Sequence, residues 1–422
     1  MMDRRDFLKL AGLTGLSVAV PFSRSARAQE SILYDGTFFV LVNAGGGWDP
    51  TSCCDPKGQL SEDEEDPMNQ SYFAADIPEA GGIPYAPVGY GPTFFPKYAS
   101  ELLVVNGIDT STNGHDSGSR YVWSGKLAEG HPSFGALVAA AKNRAAPMAF
   151  LSNGGYDLTM GLVAPTRSGN TSVLQRIAFP NRIDTNNPDS RYFTDATYDR
   201  IRAAQAERLS AMRDRTKLPR KRHAMGTLFT ARIGEGEVRR LTEFLPEQLD
   251  NSGNRLRRQA QLALASYKAG LSVSVNLSIG GFDTHGNHDQ NHIPRLAQLL
   301  EGVDFVLEEA ERLGVRDKVL VAVGSDFGRT PGYNATNGKD HWSITSMMFI
   351  GAGVRGGRVV GATDERHRPR NVDPSTLQVS DGGVRITPEH VHRALRRAAG
   401  IEEHELARQF PLTGGGDFDL FA

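Results

Sequence analysis

Cysteine is nearly absent from this 422-residue chain: there are two, Cys53 and Cys54, and they are adjacent. Neighbouring Cα atoms lie about 3.8 Å apart, short of the usual disulfide span. A vicinal bridge would be strained, two buried free thiols are the plainer alternative, and a zinc site of the Cys-pair type is excluded. Net charge is scarce too, at -2, which gives no global reason to expect nucleic acid as a partner. Long apolar runs are also missing. The stretch from Leu10 to Val20 is about half of the roughly 20 residues a bilayer span needs. No other segment is apolar enough to span a membrane, so no stable membrane span is expected after processing.

The weak apolar run near the start has another use. Arg4-Arg5 with Phe7-Leu8-Lys9, a stretch broken by Gly12 and Gly15, and small residues at alternate positions in Ser25-Ala26-Arg27-Ala28 read as a twin-arginine signal peptide over residues 1–28. The twin-arginine translocase and signal peptidase are then the expected partners, and the periplasm or extracellular space the destination. The remainder has room for one large domain or two ordinary ones.

What is present is a set of short apolar runs, each ending in a polar cluster. They are 37–43, 102–108, 271–277 and 318–324. Near-continuous apolar runs suit strands covered on both faces. The apolar stripe from Ile293 to Leu313, closed by Gly314, reads as a helix between two of them. The expected fold is therefore α/β, with a mostly parallel central sheet flanked by helices. Residues 191–269, rich in Arg, Ala, Glu and Leu, read as a helical insertion. Residues 56–100 read as an irregular excursion. Thr387, Pro388 and Gly400 bracket a capped helix near the end.

In open sheets of this class ligands sit beyond the carboxyl ends of the strands, where all four polar clusters would converge. Asp283-Thr284-His285-Gly286-Asn287-His288 follows the third run; Asp326, Arg329 and then Asp340-His341 follow the fourth; Asp49 follows the first, behind three glycines. Asp49, Asp283, His285, His288, Asp326 and His341 are the candidate ligands, since carboxylates and imidazoles suit hard and borderline divalent ions. Zinc, calcium, magnesium and manganese all remain open. Two such ions about 4 Å apart could clamp a phosphoryl or sulfuryl transfer. Arg329 is a candidate for an oxyanion or for a structural ion pair. After the second run, Ser111, Thr112 and Ser117 are candidate nucleophiles, and His115 is a candidate acid or orienting group.

The motifs Phe282-Asp283-Thr284-His285-Gly286-Asn287, Ser325-Asp326-Phe327-Gly328-Arg329-Thr330-Pro331 and Asn337-Gly338-Lys339-Asp340-His341 resemble those of the domain of unknown function 1501 family. That family looks like a branch of the alkaline phosphatase-like superfamily of phosphatases and sulfatases. The resemblance implies one α/β domain over 29–422, a small anionic ester as substrate, and two metal positions. Asp283, His285 or His288, and His341 would hold one ion, with Asp49 and Asp326 holding the other. Phe327 stands where the superfamily's phosphatases carry a ligating His, which makes a single ion plausible. No nucleophile motif is recognisable. Two functions follow: a metal-dependent hydrolase of phosphate or sulfate esters, or a non-catalytic metal-binding, surface or assembly protein on the same fold.

Overall fold

Phe38–Gly45 (β1) is buried at every position but its last, as an apolar run bounded by a glycine turn should be when both faces are covered. In the computed structural model, which describes residues 33–167, 179–184, 187, 189–222, 225, 240–246 and 248–421, β1 lies in an eight-stranded sheet. The signal-peptide reading falls outside these residues. The other strands are Leu102–Asp109 (β2), Phe150–Ser152 (β3), Pro165–Arg167 (β4), Ser274–Gly280 (β5), Val319–Ser325 (β6), Ile344–Gly351 (β7) and Arg358–Val360 (β8). Their spatial order is β8-β2-β7-β6-β1-β5-β3-β4. Only β7 runs against its neighbours. The rest are parallel.

Alternation along β1 divides the core. Phe38, Val40 and Val42 join one apolar cluster with Gly91–Tyr98 (α1), Arg255–Lys268 (α5) and His288–Arg312 (α6). Phe39 and Leu41 join another with His115–Ser124 (α2), Phe134–Asn143 (α3) and Pro388–Ala398 (α7). Each buried Phe, Leu or Val side chain contributes roughly 1.5–3 kcal/mol of transfer free energy, so the two layers anchor the sheet firmly. Cys53 and Cys54 are both free and buried in the first layer.

The four expected strands are present within a few residues, and the expected capped helix is α7, with Thr387 as its N-cap and Gly400 at φ +60°. Two segments differ from expectation. In the stretch read as a helical insertion, Asp195–Arg215 (α4) has no buried residue, but α5 packs into the core through Leu256, Ala260 and Leu264. The excursion at 56–100 contains α1, whose Phe94 and Phe95 are core residues. No helix among the described residues is long and apolar enough to cross a membrane.

Candidate metal centre

Because β1, β2, β5 and β6 are parallel, their carboxyl ends share one edge, and the register holds Gly45 against Gly280 and Ala44 against Ser325. Asp326 therefore follows directly beside Gly46, whose N–H donates to its Oδ2 at 3.0 Å. Asp283 leaves β5 on the other side of Gly46. A Cβ on Gly46, at φ +119°, would lie 2.6 Å from the Asp283 nitrogen, so only glycine lets the two strand ends close up. His115 opens α2 beyond β2. His341 returns to the same place on a short antiparallel pairing with Arg329.

Four side chains converge there. His115, Asp283 and His341 present ligand atoms within 4.8 Å of one another. His285 adds its Nε2, 3.0 Å from Asp283 Oδ1 and 3.0 Å from His341 Nε2. His341 Nε2 lies 3.1 Å from Asp283 Oδ1, and His115 Nε2 is 3.4 Å from Asp283 Oδ2. The opposite nitrogen of each ring decides its tautomer. His115 Nδ1 meets Asp326 Oδ2 at 2.9 Å, His285 Nδ1 meets Asp340 Oδ1 at 2.8 Å, and His341 Nδ1 meets the Asn113 carbonyl at 2.7 Å. All three partners only accept, so each neutral imidazole keeps its proton on Nδ1 and turns a bare Nε2 toward Asp283. Lone pairs facing one another and a carboxylate at about 3 Å repel unless positive charge lies between them. Ligands of one zinc-sized ion, at about 2.0–2.2 Å each, fall at such mutual spacings, and outer carboxylate and carbonyl partners are the usual support of metal-binding histidine.

The electrostatics agree. Partial burial pushes the Asp283 carboxyl up, but Arg329 and His341 outweigh it and hold it down at about 2. The His285 contact likewise lowers Asp340. Burial raises Asp326, against the opposing pull of His115 and the Gly46 N–H. Phe327, fully buried, sets its ring 4.9 Å from that of His115 and 4.5 Å from that of His341, and so forms the apolar wall of the group.

The structure does not bring every expected residue here. Asp49 and His288 are fully buried in a neighbouring cluster, where Lys339 Nζ lies 2.6 Å from Asp49 Oδ2 and His288 Nε2 lies 3.2 Å from the same oxygen. The ammonium already balances Asp49, and Asp326 is spent on His115 and Gly46. The two carboxylates expected to share a second ion thus belong to different clusters. Arg329 takes the second of its two alternatives, the ion pair. It is fully buried, and its guanidinium donates to the carbonyls of Gly46, Gly47 and Lys339 and to Asp283 Oδ1. Ser111 is held by Asp109, while Thr112 and Ser117 bond to each other at 2.6 Å. None of these three hydroxyls bonds to an imidazole or carboxylate of the group. His115, expected as an acid or orienting group, lies beside Asp283 and His341 in this group.

Sequence reasoning assigned no role to Asp340, Lys339 or His292. The four-residue spacing of His288 and His292, one helical turn, was the available signal. Gly338 is a second close approach: a Cβ there would lie 1.9 Å from the His285 carbonyl oxygen. Gly338→Ala is therefore expected to lower stability by about 1–3 kcal/mol, as overpacked sites do, and to displace His285. Urea unfolding of the variant checks it.

The family model for proteins of unknown function, DUF1501, matches residues 38–381. The chain belongs to this family. No curated protein matches it. Among solved structures, a sulfatase from Pseudoalteromonas sp. aligns over 91% of this chain and 73% of its own, at 10% identity and TM-score 0.37. An alkaline phosphatase from the Antarctic bacterium TAB5 aligns over 76% of this chain and 93% of its own, at 9% identity and TM-score 0.33.

Proposed function

We propose that this DUF1501 protein is an exported hydrolase of phosphate or sulfate esters that works with one divalent ion held by His115, Asp283, His285 and His341. The observation that carries the reading is a shared geometry: three imidazoles, each with Nδ1 against an acceptor and Nε2 within 3.4 Å of Asp283. An imidazole-dominated set suits zinc better than calcium or magnesium. When bound, such an ion supplies Lewis acidity toward an ester oxygen and a water that is nucleophilic near neutral pH.

The chain's own residues do the remaining work. Asp326 and Asp340 hold two of the rings in register, Phe327 excludes water from one side, and Arg329 keeps Asp283 anionic. The N-terminus of α2 opens at His115, and its free N–H groups favour developing negative charge. Ser111, Thr112 and Ser117 are engaged within their own loop, so attack by water fits better than attack by a side chain. The inward-facing Arg329 and the engaged hydroxyls also favour a second reading, a metal-binding surface or assembly protein without turnover.

Metal content of the purified mature protein, followed by hydrolysis of aryl phosphate and aryl sulfate esters, separates these readings. About one ion per chain is expected, with turnover falling at least about 100-fold in His341→Ala. An ion without turnover leaves the binding protein, and no ion removes both readings. Export is checked by finding the product to begin at Gln29.

A further inference from the structure

Directly beneath the exposed donors lies a closed circuit of buried polar groups whose direction can be derived. The Asp49 N–H donates to His292 Nε2 at 2.9 Å, so His292 carries its proton on Nδ1. That proton points to Thr284 Oγ1 at 3.2 Å. The Thr284 hydroxyl has two acceptors, the Phe282 carbonyl at 3.4 Å and His288 Nδ1 at 2.7 Å; donation along the shorter contact leaves the His288 proton on Nε2. His288 Nε2 faces Asp49 Oδ2 at 3.2 Å, an ion-pair distance without hydrogen-bond alignment. The path starts and ends on Asp49. Lys339 balances the charge, with Nζ 2.6 Å from Asp49 Oδ2 and 2.6 Å from the Met68 carbonyl. Asp49, His288, His292 and Lys339 are all fully buried, and Thr284 is 6% exposed.

Two of the three segments that carry ring members also carry donors on their other side. Thr284 points inward between Asp283 and His285, which are exposed. Lys339 points inward beside Asp340 and His341. The Lys339 N–H also donates to the Thr284 carbonyl at 3.1 Å, and its carbonyl accepts from Arg329. A ring that ties 49, 284–292 and 339 together therefore sets the spacing of the two loops whose outward side chains meet at Asp283.

We propose that Asp49, Thr284, His288, His292 and Lys339 form a buried positioning ring for the cation donors, with Thr284 as the residue that joins the two layers. This rests on the single-ion reading above. Thr284 touches neither ion nor substrate; it acts through the neighbours it holds. Removing its hydroxyl leaves the Nδ1 of both imidazoles without their shared partner and loosens Asp283 and His285 at once.

The test uses Co2+ as the probe, titrated into the metal-free full mature protein, with the visible d–d spectrum and the dissociation constant as readouts. Thr284→Val, close in volume but without the hydroxyl, is expected to weaken Co2+ binding about 10- to 100-fold and to change the spectrum. Thr284→Ser, which keeps the hydroxyl, is expected to restore both. Unchanged affinity and spectrum in Thr284→Val overturn the ring. So does equal weakening in Thr284→Ser, because a lost methyl would then be the cause. If Thr284→Val does not fold, the double variant Asp49→Asn/Lys339→Met removes the charge pair without stranding either partner, and the same two readouts decide. Wild-type protein that takes up no Co2+ removes the single-ion reading itself, a result distinct from failure of the ring.

Discussion

Arg329→Met is expected to unfold at distinctly lower urea, with about 3 kcal/mol or more of stability lost and the slope of the transition unchanged. The guanidinium is fully buried and spans three segments: Nε reaches the Gly47 carbonyl at 2.8 Å, Nη1 the Lys339 carbonyl at 2.9 Å, and Nη2 both the Gly46 carbonyl and Asp283 Oδ1. Methionine fills much of the space but donates nothing, so three carbonyls lose a partner, at about 1–3 kcal/mol for each that stays buried and unsatisfied. Asp283 is 46% exposed and can turn to water, so the cost falls mainly on the carbonyls. Lysine would not rescue the site, because one ammonium cannot match a fork of donors with fixed directions. The Asp283 carboxyl should also rise from about 2 toward its ordinary range, which a pH titration of its resonance would follow. A loss below about 1 kcal/mol would mean that Arg329 is not the clamp between the strand ends.

The same residue marks the boundary of what sequence could convey. Four strands were legible because both faces are covered and their apolar runs are nearly unbroken. β7 was not, because Thr345 and Ser346 interrupt its apolar pattern. Both are satisfied from afar: Thr345 Oγ1 accepts from Trp48 Nε1, and Ser346 donates to Asn106. Those partners are about 240 to 300 positions away, beyond any local pattern. Convergence of polar clusters at one sheet edge was legible for the opposite reason: parallel strands put all their carboxyl ends together, whatever the details.

Which histidines face out and which face in was not legible. His285 precedes α6 and points outward, while His288 and His292 occupy its first turns and point inward. The helix begins at His288, five residues before its apolar stripe becomes visible. Lys339, in a loop of Gly and Asn, reads as a solvated charge until Asp49 is found beside it. That one pairing sets Asp49 in a buried ion pair, apart from the side chains that meet at Asp283. The result is one exposed group of side chains around Asp283 above one buried ring in which Lys339 balances Asp49.

The buried histidines carry the second large prediction, a stability that falls steeply on mild acidification. His392 is fully buried in α7; its Nε2 meets the Val122 carbonyl at 2.7 Å, and its Nδ1 has no hydrogen-bond partner. Burial outweighs the Val122 contact, Arg396 adds to it, and the imidazole is pushed down to about 4. Burial lowers His288, His292 and His367 as well. An imidazole whose folded pKa lies below its unfolded value of about 6.5 is protonated first in the unfolded chain. Its stabilising effect is complete above pH 6.5 and is lost as pH falls toward the folded value. For His392 alone the loss between pH 7 and pH 5 comes to about 2 kcal/mol by linkage, and the other three add to it in the same direction. The lowered carboxylates Asp49 and Asp283 act in a separate window, below about pH 4, where they too withdraw stability. Urea unfolding of chelator-treated protein at pH 7 and pH 5 measures the drop without interference from bound ions. His392→Gln, which can still donate to Val122 but does not titrate, should flatten it by about 2 kcal/mol. An equal drop in wild type and variant would show that His392 is not the group taking up the proton.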